Sequence, residues 1–163
     1  MHGIYLVGKQ KALIDVFAYS GKGLPGIEIK GPRKGLEQLR EKFIYITRNR
    51  GLKIPLKKIT LCVESKAFED SCKGAQYSPL ELPLLILFWN LCEFISIHNL
   101  QNCLCAGCIS IEGKIQNMPL QDTEMVNFVD KNLIWITTLI KDSSPLPILP
   151  LEEILGSIPN LHY

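Results

Sequence analysis

The sequence predicts a single two-layer α/β domain, in which helices pack on a β-sheet. Short β-branched segments typical of strands alternate along the chain with segments whose apolar residues recur every three to four positions, the period of a helix. Of the 163 residues, 47% are hydrophobic and 21% are charged, which suffices for one buried core. No internal repeat or long linker interrupts the chain, so we expect residues 1–163 to form one domain.

The first strands of the sheet are predicted near the N-terminus. Residues 3–7 (GIYLV) and 12–19 (ALIDVFAY) read as strands, and the second alternates apolar with polar or aromatic side chains. Glycines at 21–26 supply a turn, and residues 26–30 (GIEIK) form a third short strand. Residues 58–64 (KITLCVE) are β-branched and suit the interior of a sheet.

A basic amphipathic helix is predicted between the third and fourth strands, from Lys34 to Arg50. Its apolar side chains recur at spacings of three and four, so they form one stripe toward the core. Gly51 follows as a left-handed C-terminal cap. The stripe comprises Leu36, Leu39, Phe43 and Ile46, and the outward side comprises Lys34, Gln38, Glu41, Tyr45 and Arg48.

A second helix is predicted to begin at Ser78-Pro79-Leu80-Glu81. This order is typical of a capping box, in which the serine hydroxyl accepts from a backbone N–H and the glutamate accepts from the serine N–H. Apolar residues surround the helix axis from Leu82 to Trp89, so we expect this helix to be buried. A hairpin around Glu112-Gly113, a strand at 133–140 (LIWITTLI) and a closing helix at 151–158 (LEEILGSI) complete the predicted order.

Apolar runs and cysteines bear on location and metal binding. No secretion signal is evident, and the longest apolar run, 82–97, is shorter than the ~20 residues of a membrane span. We therefore expect a cytoplasmic protein without membrane contact, with its six cysteines reduced. Cys103-x-Cys105-x-x-Cys108 resembles half a zinc site, but no second CxxC and no paired histidines follow, so neither a metal nor another cofactor is expected.

Positive charge is concentrated in residues 33–58. Nine Lys and Arg face two Glu there, a net charge of +7, and because the whole chain is +2 the remainder sums to −5. This asymmetry favours either a nucleic-acid surface or an interface with an acidic partner, although a solvated helix face has the same pattern. Tyr45 is suited to stack on a base or to enter a partner's pocket. The candidate surface comprises Arg33, Lys34, Arg40, Tyr45, Arg48, Arg50, Lys53, Lys57 and Lys58.

Short motifs between Leu24 and Pro119 follow one another in the order of a known family. They are Gly23-Leu24-Pro25, Leu39-Arg40-Glu41, Asn49-x-Gly51-Leu52-x-Ile54-Pro55, Lys58-Ile59-Thr60-Leu61, Leu80-Glu81-Leu82-Pro83 and Gly107-x-Ile109-Ser110-Ile111-x-Gly113. Together they resemble the N-terminal domain of ComM-type, magnesium-chelatase-like competence proteins. The resemblance implies the fold of the Lon proteolytic domain, which a ribosomal protein domain shares. It also implies association with a ring-forming AAA+ ATPase that acts on branched DNA during recombination.

Two catalytic activities that this resemblance suggests lack their motifs. No G-x-x-x-x-G-K-[ST] sequence occurs, so nucleotide hydrolysis is not expected. A Lon-like peptidase needs a serine before the central helix and a lysine after the hairpin; Ser78 is predicted to be a cap, and residues 119–122 (PLQD) contain no lysine. We expect a non-catalytic accessory module that acts on DNA, on a separate AAA+ ATPase or in a homo-oligomer. A peptidase using Ser78 and a degenerate structural remnant are the alternatives.

Overall fold

The computed structural model describes residues 1–7, 10–31, 36–64, 75–110, 112–138 and 143–156. Its main sheet consists of β1 (His2–Val7), β2 (Gln10–Gly21), β3 (Gly26–Lys30), β4 (Lys58–Val63), β5 (Ala75–Gln76), β6 (Cys103–Cys105), β9 (Ile134–Thr137) and β10 (Ile148–Pro150). A separate hairpin consists of β7 (Gly107–Ile109) and β8 (Ile115–Asn117). The described helices are α1 (Glu37–Asn49), α2 (Glu81–Leu91), α3 (Asp122–Val129) and α4 (Leu151–Gly156).

The main sheet is mixed, with strand order β10-β9-β6-β1-β2-β4-β3 and β5 paired to β1. Strand β2 pairs antiparallel with β1 and β4, whereas the β3–β4, β1–β6, β6–β9 and β9–β10 pairs are parallel. Helix α1 makes the crossover between the parallel strands β3 and β4. In β2, Ile14 and Val16 are buried while Asp15 and Phe17 are exposed, which confirms the predicted alternation.

Helices α1 and α2 share one core with the sheet. Every residue from Leu82 to Trp89 is buried, as predicted for a helix that is apolar on all sides. The α1 stripe is buried in the same core, and the rings of Phe43 and Phe88 stack with their centroids 6.3 Å apart. Within α1, the Thr47 hydroxyl donates to the Phe43 carbonyl at 2.6 Å and accepts from the Trp89 indole N–H at 2.9 Å. This bond joins the two helices through buried polar atoms.

The observed ends of α1 and of the helix in the long apolar run agree only in part with those predicted from the sequence. Gly51 has φ of +71° and its N–H donates to the Arg48 carbonyl, which confirms the left-handed cap. Residues 32–35, where the helix was expected to begin, lie outside the described residues. The apolar run from 82 to 97 is helical only to Leu91. None of the helices in the described ranges is long and apolar enough to cross a membrane.

The start of α2 is not the expected capping box. Ser78 is exposed in a 3₁₀ turn, Ser78–Leu80, and its side chain makes no capping hydrogen bond. The Glu81 carboxylate instead accepts from the Lys42 ammonium at 2.6 Å and from the Ile109 backbone N–H at 2.9 Å. The capping-box prediction is wrong because two partners from distant parts of the chain bind the carboxylate that the local motif would use.

Helix α3, which the sequence analysis missed, begins with a reciprocal cap. The Gln121 backbone N–H donates to the Glu124 carboxylate at 2.8 Å. Lys11 of β2 donates to the same carboxylate at 2.9 Å and to the Pro119 carbonyl. Burial raises the pKa of Glu124, but the hydrogen bonds from Gln121 and Lys11 outweigh it and hold that pKa below its usual 4.5.

Helix α3 packs on the face of the sheet opposite α2. In β6, Cys103 and Cys105 face the core of α2, whereas Leu104 between them points the other way. Leu104 packs in a second cluster with Trp135 of β9 and Met125 of α3. The structure is therefore of the α/β class, as predicted, but it departs from a two-layer arrangement because this part of the sheet is covered on both faces.

Candidate functional site

Arg50, at the end of α1, is a structural residue rather than part of an open surface. Its guanidinium carbon lies 5.2 Å from the centroid of the Trp89 ring, within the range of a cation–π contact. One of its nitrogens donates to the Gly113 carbonyl at 3.4 Å. Arg50 therefore links α1 to α2 and to the hairpin turn, and its charge is directed inward.

Lys57 and Lys58 are each paired with a carboxylate. The Lys57 ammonium lies 3.6 Å from Glu93, and the Lys58 ammonium lies 3.5 Å from Glu28. Exposed pairs of this kind contribute only about 0–1 kcal/mol to stability. Each pair nevertheless offsets one positive charge of the candidate nucleic-acid or partner surface.

Three other basic residues of the candidate surface are described, and they face solvent. Arg40, Arg48 and Lys53 are exposed, and the Arg40 guanidinium lies 3.7 Å from the carboxylate of its neighbour Glu41. Within the described ranges, Arg48 and Lys53 form no ion pair. Arg33 and Lys34 lie outside the described residues. Among the described residues of the candidate surface, the cations therefore do not form one uninterrupted patch.

Tyr45 lies on the outward side of α1, as predicted, with 51% of its surface exposed. It borders a cleft of about 750 Å³ that runs between α1, the start of α2 and the hairpin turn. We call this the α1 cleft, and its lining residues are Gln38, Leu39, Glu41, Lys42, Tyr45, Glu81 and Glu112.

Glu81 occupies the inner part of the α1 cleft in a fixed position. Its side chain is 14% exposed and that of Lys42 is 23% exposed, so their ion pair is largely shielded from water. Because the Lys42 ammonium and the Ile109 N–H both bind this carboxylate, its orientation is held from two directions. The cleft therefore contains a preformed polar group, whose position two hydrogen bonds hold.

The lining of the α1 cleft is negatively charged, although α1 belongs to the positively charged segment 33–58. Among the described lining residues, three carboxylates, Glu41, Glu81 and Glu112, face one ammonium, Lys42, which is a net formal charge of −2. The Arg40 guanidinium, which is not part of this lining, lies 3.7 Å from Glu41 and offsets part of that charge. The Tyr45 ring adds an aromatic wall. Such a lining suits a cationic group better than a phosphate.

Sequence reasoning missed this cleft although it named several of the residues in it. Lys42 was counted with the basic segment, and Glu81 was assigned to a cap. Their pairing joins positions 39 residues apart, and Ile109 lies a further 28 residues along the chain. The signal that was available is Glu81 itself, since a carboxylate beside the apolar run from Leu82 to Trp89 needs a partner.

The positions of Ser78 and of the buried cysteines bear on the peptidase alternative and on metal binding. Ser78 is exposed in the turn before α2. Burial, the main cause, raises the pKa of the Cys92 thiol to about 12 and that of Cys105 well above its usual value, so both stay protonated. Within the described part of the chain, no three or more His, Cys, Asp or Glu side chains are placed to hold a metal ion. Cys72 lies outside it.

Comparison of the sequence with protein-family models finds no matching family, and comparison with curated proteins finds no similar protein. The resemblance to ComM-type competence proteins, and with it the Lon-like fold, therefore stays a hypothesis that rests on the short motifs alone.

Proposed function

We propose that this chain is a non-catalytic protein-binding module that holds its partner at the outward face of α1 and in the α1 cleft. The observation that carries the proposal is the position of Tyr45. It is half exposed on α1 and lines a cleft whose inner carboxylate is bound by Lys42 and by the Ile109 N–H. Exposed tyrosines next to such concave sites are typical anchors of protein interfaces, because they bury a large area at little cost in side-chain entropy.

The distribution of charge favours a protein partner over a nucleic acid. Binding to a nucleic acid gains most of its affinity from several unpaired cations that neutralise phosphates. Here Lys42, Lys57 and Lys58 each face a carboxylate, and Arg50 is directed toward Trp89. The carboxylates of the α1 cleft would in addition repel a phosphate backbone beside Tyr45.

The resemblance to ComM-type proteins suggests what class of protein the partner is. A Lon-like domain in that family accompanies a ring-forming AAA+ ATPase, and this sequence contains no phosphate-binding loop of its own. An AAA+ ATPase, which this module would help to assemble, is the partner class that we propose. The Lon-like identity of the fold is part of the same proposal.

Selection of peptides from a random display library tests the protein-binding function. Wild-type protein is compared with Tyr45→Ala and with Tyr19→Ala, a matched control because Tyr19 is 46% exposed but lies on β2 rather than on α1. We expect peptides that bind wild type and Tyr19→Ala equally and bind Tyr45→Ala at least about tenfold more weakly, which is the loss of an interface anchor.

Two outcomes would contradict the proposal. In one, no selected peptide distinguishes Tyr45→Ala from Tyr19→Ala, so the outward face of α1 has no preference for polypeptide. In the other, the protein binds single-stranded DNA with a steep salt dependence that Tyr45→Ala removes, so the surface is a nucleic-acid site.

A further inference from the structure

We infer that the α1 cleft receives a cationic side chain, an arginine or a lysine, from the bound partner. The inference rests on the proposed protein-binding function and adds the chemistry that the partner segment must carry. Three properties of the cleft lead to it: an unbalanced negative charge, an aromatic wall, and a carboxylate that already binds a cation.

The unbalanced charge lies at the mouth of the cleft. Lys42 neutralises Glu81 in the inner part, where both side chains are largely buried. Glu41 and Glu112 then remain as the outer carboxylates. Both are exposed. The Arg40 guanidinium, 3.7 Å away, offsets part of the charge of Glu41, so Glu112 is the main source of the unbalanced charge. Among the described residues, Glu112 accepts from the neutral Ser110 hydroxyl at 3.2 Å and forms no ion pair. A cation that enters between them gains attraction without displacing a buried partner.

The apolar part of the lining suits the stem of a long basic side chain. Arginine and lysine place three or four methylene groups along apolar surface while the charged end reaches polar groups. Leu39 is buried beneath the cleft, and the exposed ring of Tyr45 can lie against a guanidinium or ammonium group. The volume of about 750 Å³ also leaves room for part of the backbone of the partner.

The pair of Lys42 and Glu81 shows within the molecule how the cleft binds a cation. The ammonium meets a carboxylate oxygen at 2.6 Å, and the Ile109 N–H fixes that oxygen from the other side. Because the Ile109 amide bonds directly to this carboxylate, its NMR resonance reports any change in the charge around Glu81. This gives the inference a local readout that does not require the natural partner.

The experiment uses N-acetyl-arginine amide as the probe and N-acetyl-citrulline amide as its uncharged counterpart of nearly the same shape. Both are titrated into ¹⁵N-labelled protein. We expect the arginine probe to shift the Ile109 and Tyr45 amide resonances saturably, and the citrulline probe to leave them unchanged. Glu41→Gln and Glu112→Gln should each weaken arginine binding about two- to fivefold, as expected for one exposed ion pair. Glu152→Gln, on α4, is the matched control and should change nothing.

The outcomes separate this inference from the function on which it rests. Equal shifts with arginine and citrulline, or unchanged arginine affinity in both cleft variants, would show that the cleft does not select a cation. If Tyr45-dependent peptides keep their affinity when every arginine and lysine is replaced by citrulline, the inference is wrong and the protein-binding function stands. If the arginine probe binds but no Tyr45-dependent peptide exists, the protein-binding function is wrong instead.

Discussion

Replacement of Glu81 should destabilise the protein far more than replacement of Ser78. In the structure Glu81 accepts two hydrogen bonds, from Lys42 at 2.6 Å and from the Ile109 N–H at 2.9 Å, and is only 14% exposed. Hydrogen bonds that involve a charged group contribute about 1.5–3 kcal/mol each. The two bonds share one oxygen and Lys42 reaches water, so we expect Glu81→Ala to lower the free energy of unfolding by about 2–4 kcal/mol.

Two further variants separate the contribution of Glu81 from that of Ser78. Glu81→Gln keeps a neutral acceptor for both donors, so it should cost about 1–2 kcal/mol. Ser78→Ala removes an exposed hydroxyl that caps nothing, so the free energy of unfolding should change by less than about 0.5 kcal/mol. Urea denaturation measures all three, with the shift in midpoint read at constant slope.

The capping-box interpretation predicts a different order for the same variants. There Ser78→Ala would cost about 1 kcal/mol, the usual loss of a serine cap. A loss of this size for Ser78→Ala, together with a negligible effect of Glu81→Gln, would refute the long-range role of Glu81 and with it the preformed polar group of the α1 cleft.

Three further predictions concern other parts of the fold. Thr47→Val removes the buried acceptor of the Trp89 N–H and should lower the free energy of unfolding by about 1–3 kcal/mol in urea denaturation, whereas Thr47→Ser, which keeps the hydroxyl, should cost clearly less. The pKa of Glu124 is lower in the folded than in the unfolded chain, so the ionised carboxylate stabilises the fold above pH 4.5. This contribution is lost as pH falls through the folded pKa, so in Glu124→Gln the free energy of unfolding should fall less steeply below pH 4.5 than in wild type. Cys108 is partly exposed, whereas Cys92 is buried and its pKa is about 12, so a thiol reagent should modify Cys108 first in the native protein. Peptide mass spectrometry measures both rates, and equal rates would contradict the buried position of Cys92.

The elements that the sequence predicts well are those whose signal is local. The stripe at Leu39, Phe43 and Ile46 and the all-apolar run from Leu82 to Trp89 contain the helical period within a few turns. Strand β2 shows its alternation in the same way. Helix α3 was missed because its eight residues are too few for a clear period, although Glu124 three residues after Gln121 was a usable capping signal.

The α1 cleft could not be predicted from local patterns, because each of its key contacts joins distant segments. A basic helix face and a capping motif are the simplest interpretations of Lys42 and Glu81 when each is considered with its sequence neighbours. Only the packing of α1 against the start of α2 and the hairpin brings them together. The same packing turns Arg50 toward Trp89, so a count of charges overstates the basic surface.

The most direct test of the protein-binding function is whether reversing the charge of two arginines on α1 strengthens or weakens binding. Fluorescence anisotropy measures the binding of a selected basic peptide and of single-stranded DNA to wild type, to Arg40→Glu/Arg48→Glu and to Tyr45→Ala. Both arginines are exposed, so the fold should survive. We predict that the reversal strengthens peptide binding, and that Tyr45→Ala weakens it at least about tenfold and leaves any DNA binding unchanged. DNA binding that is tighter than peptide binding, and that both variants abolish, would contradict the account.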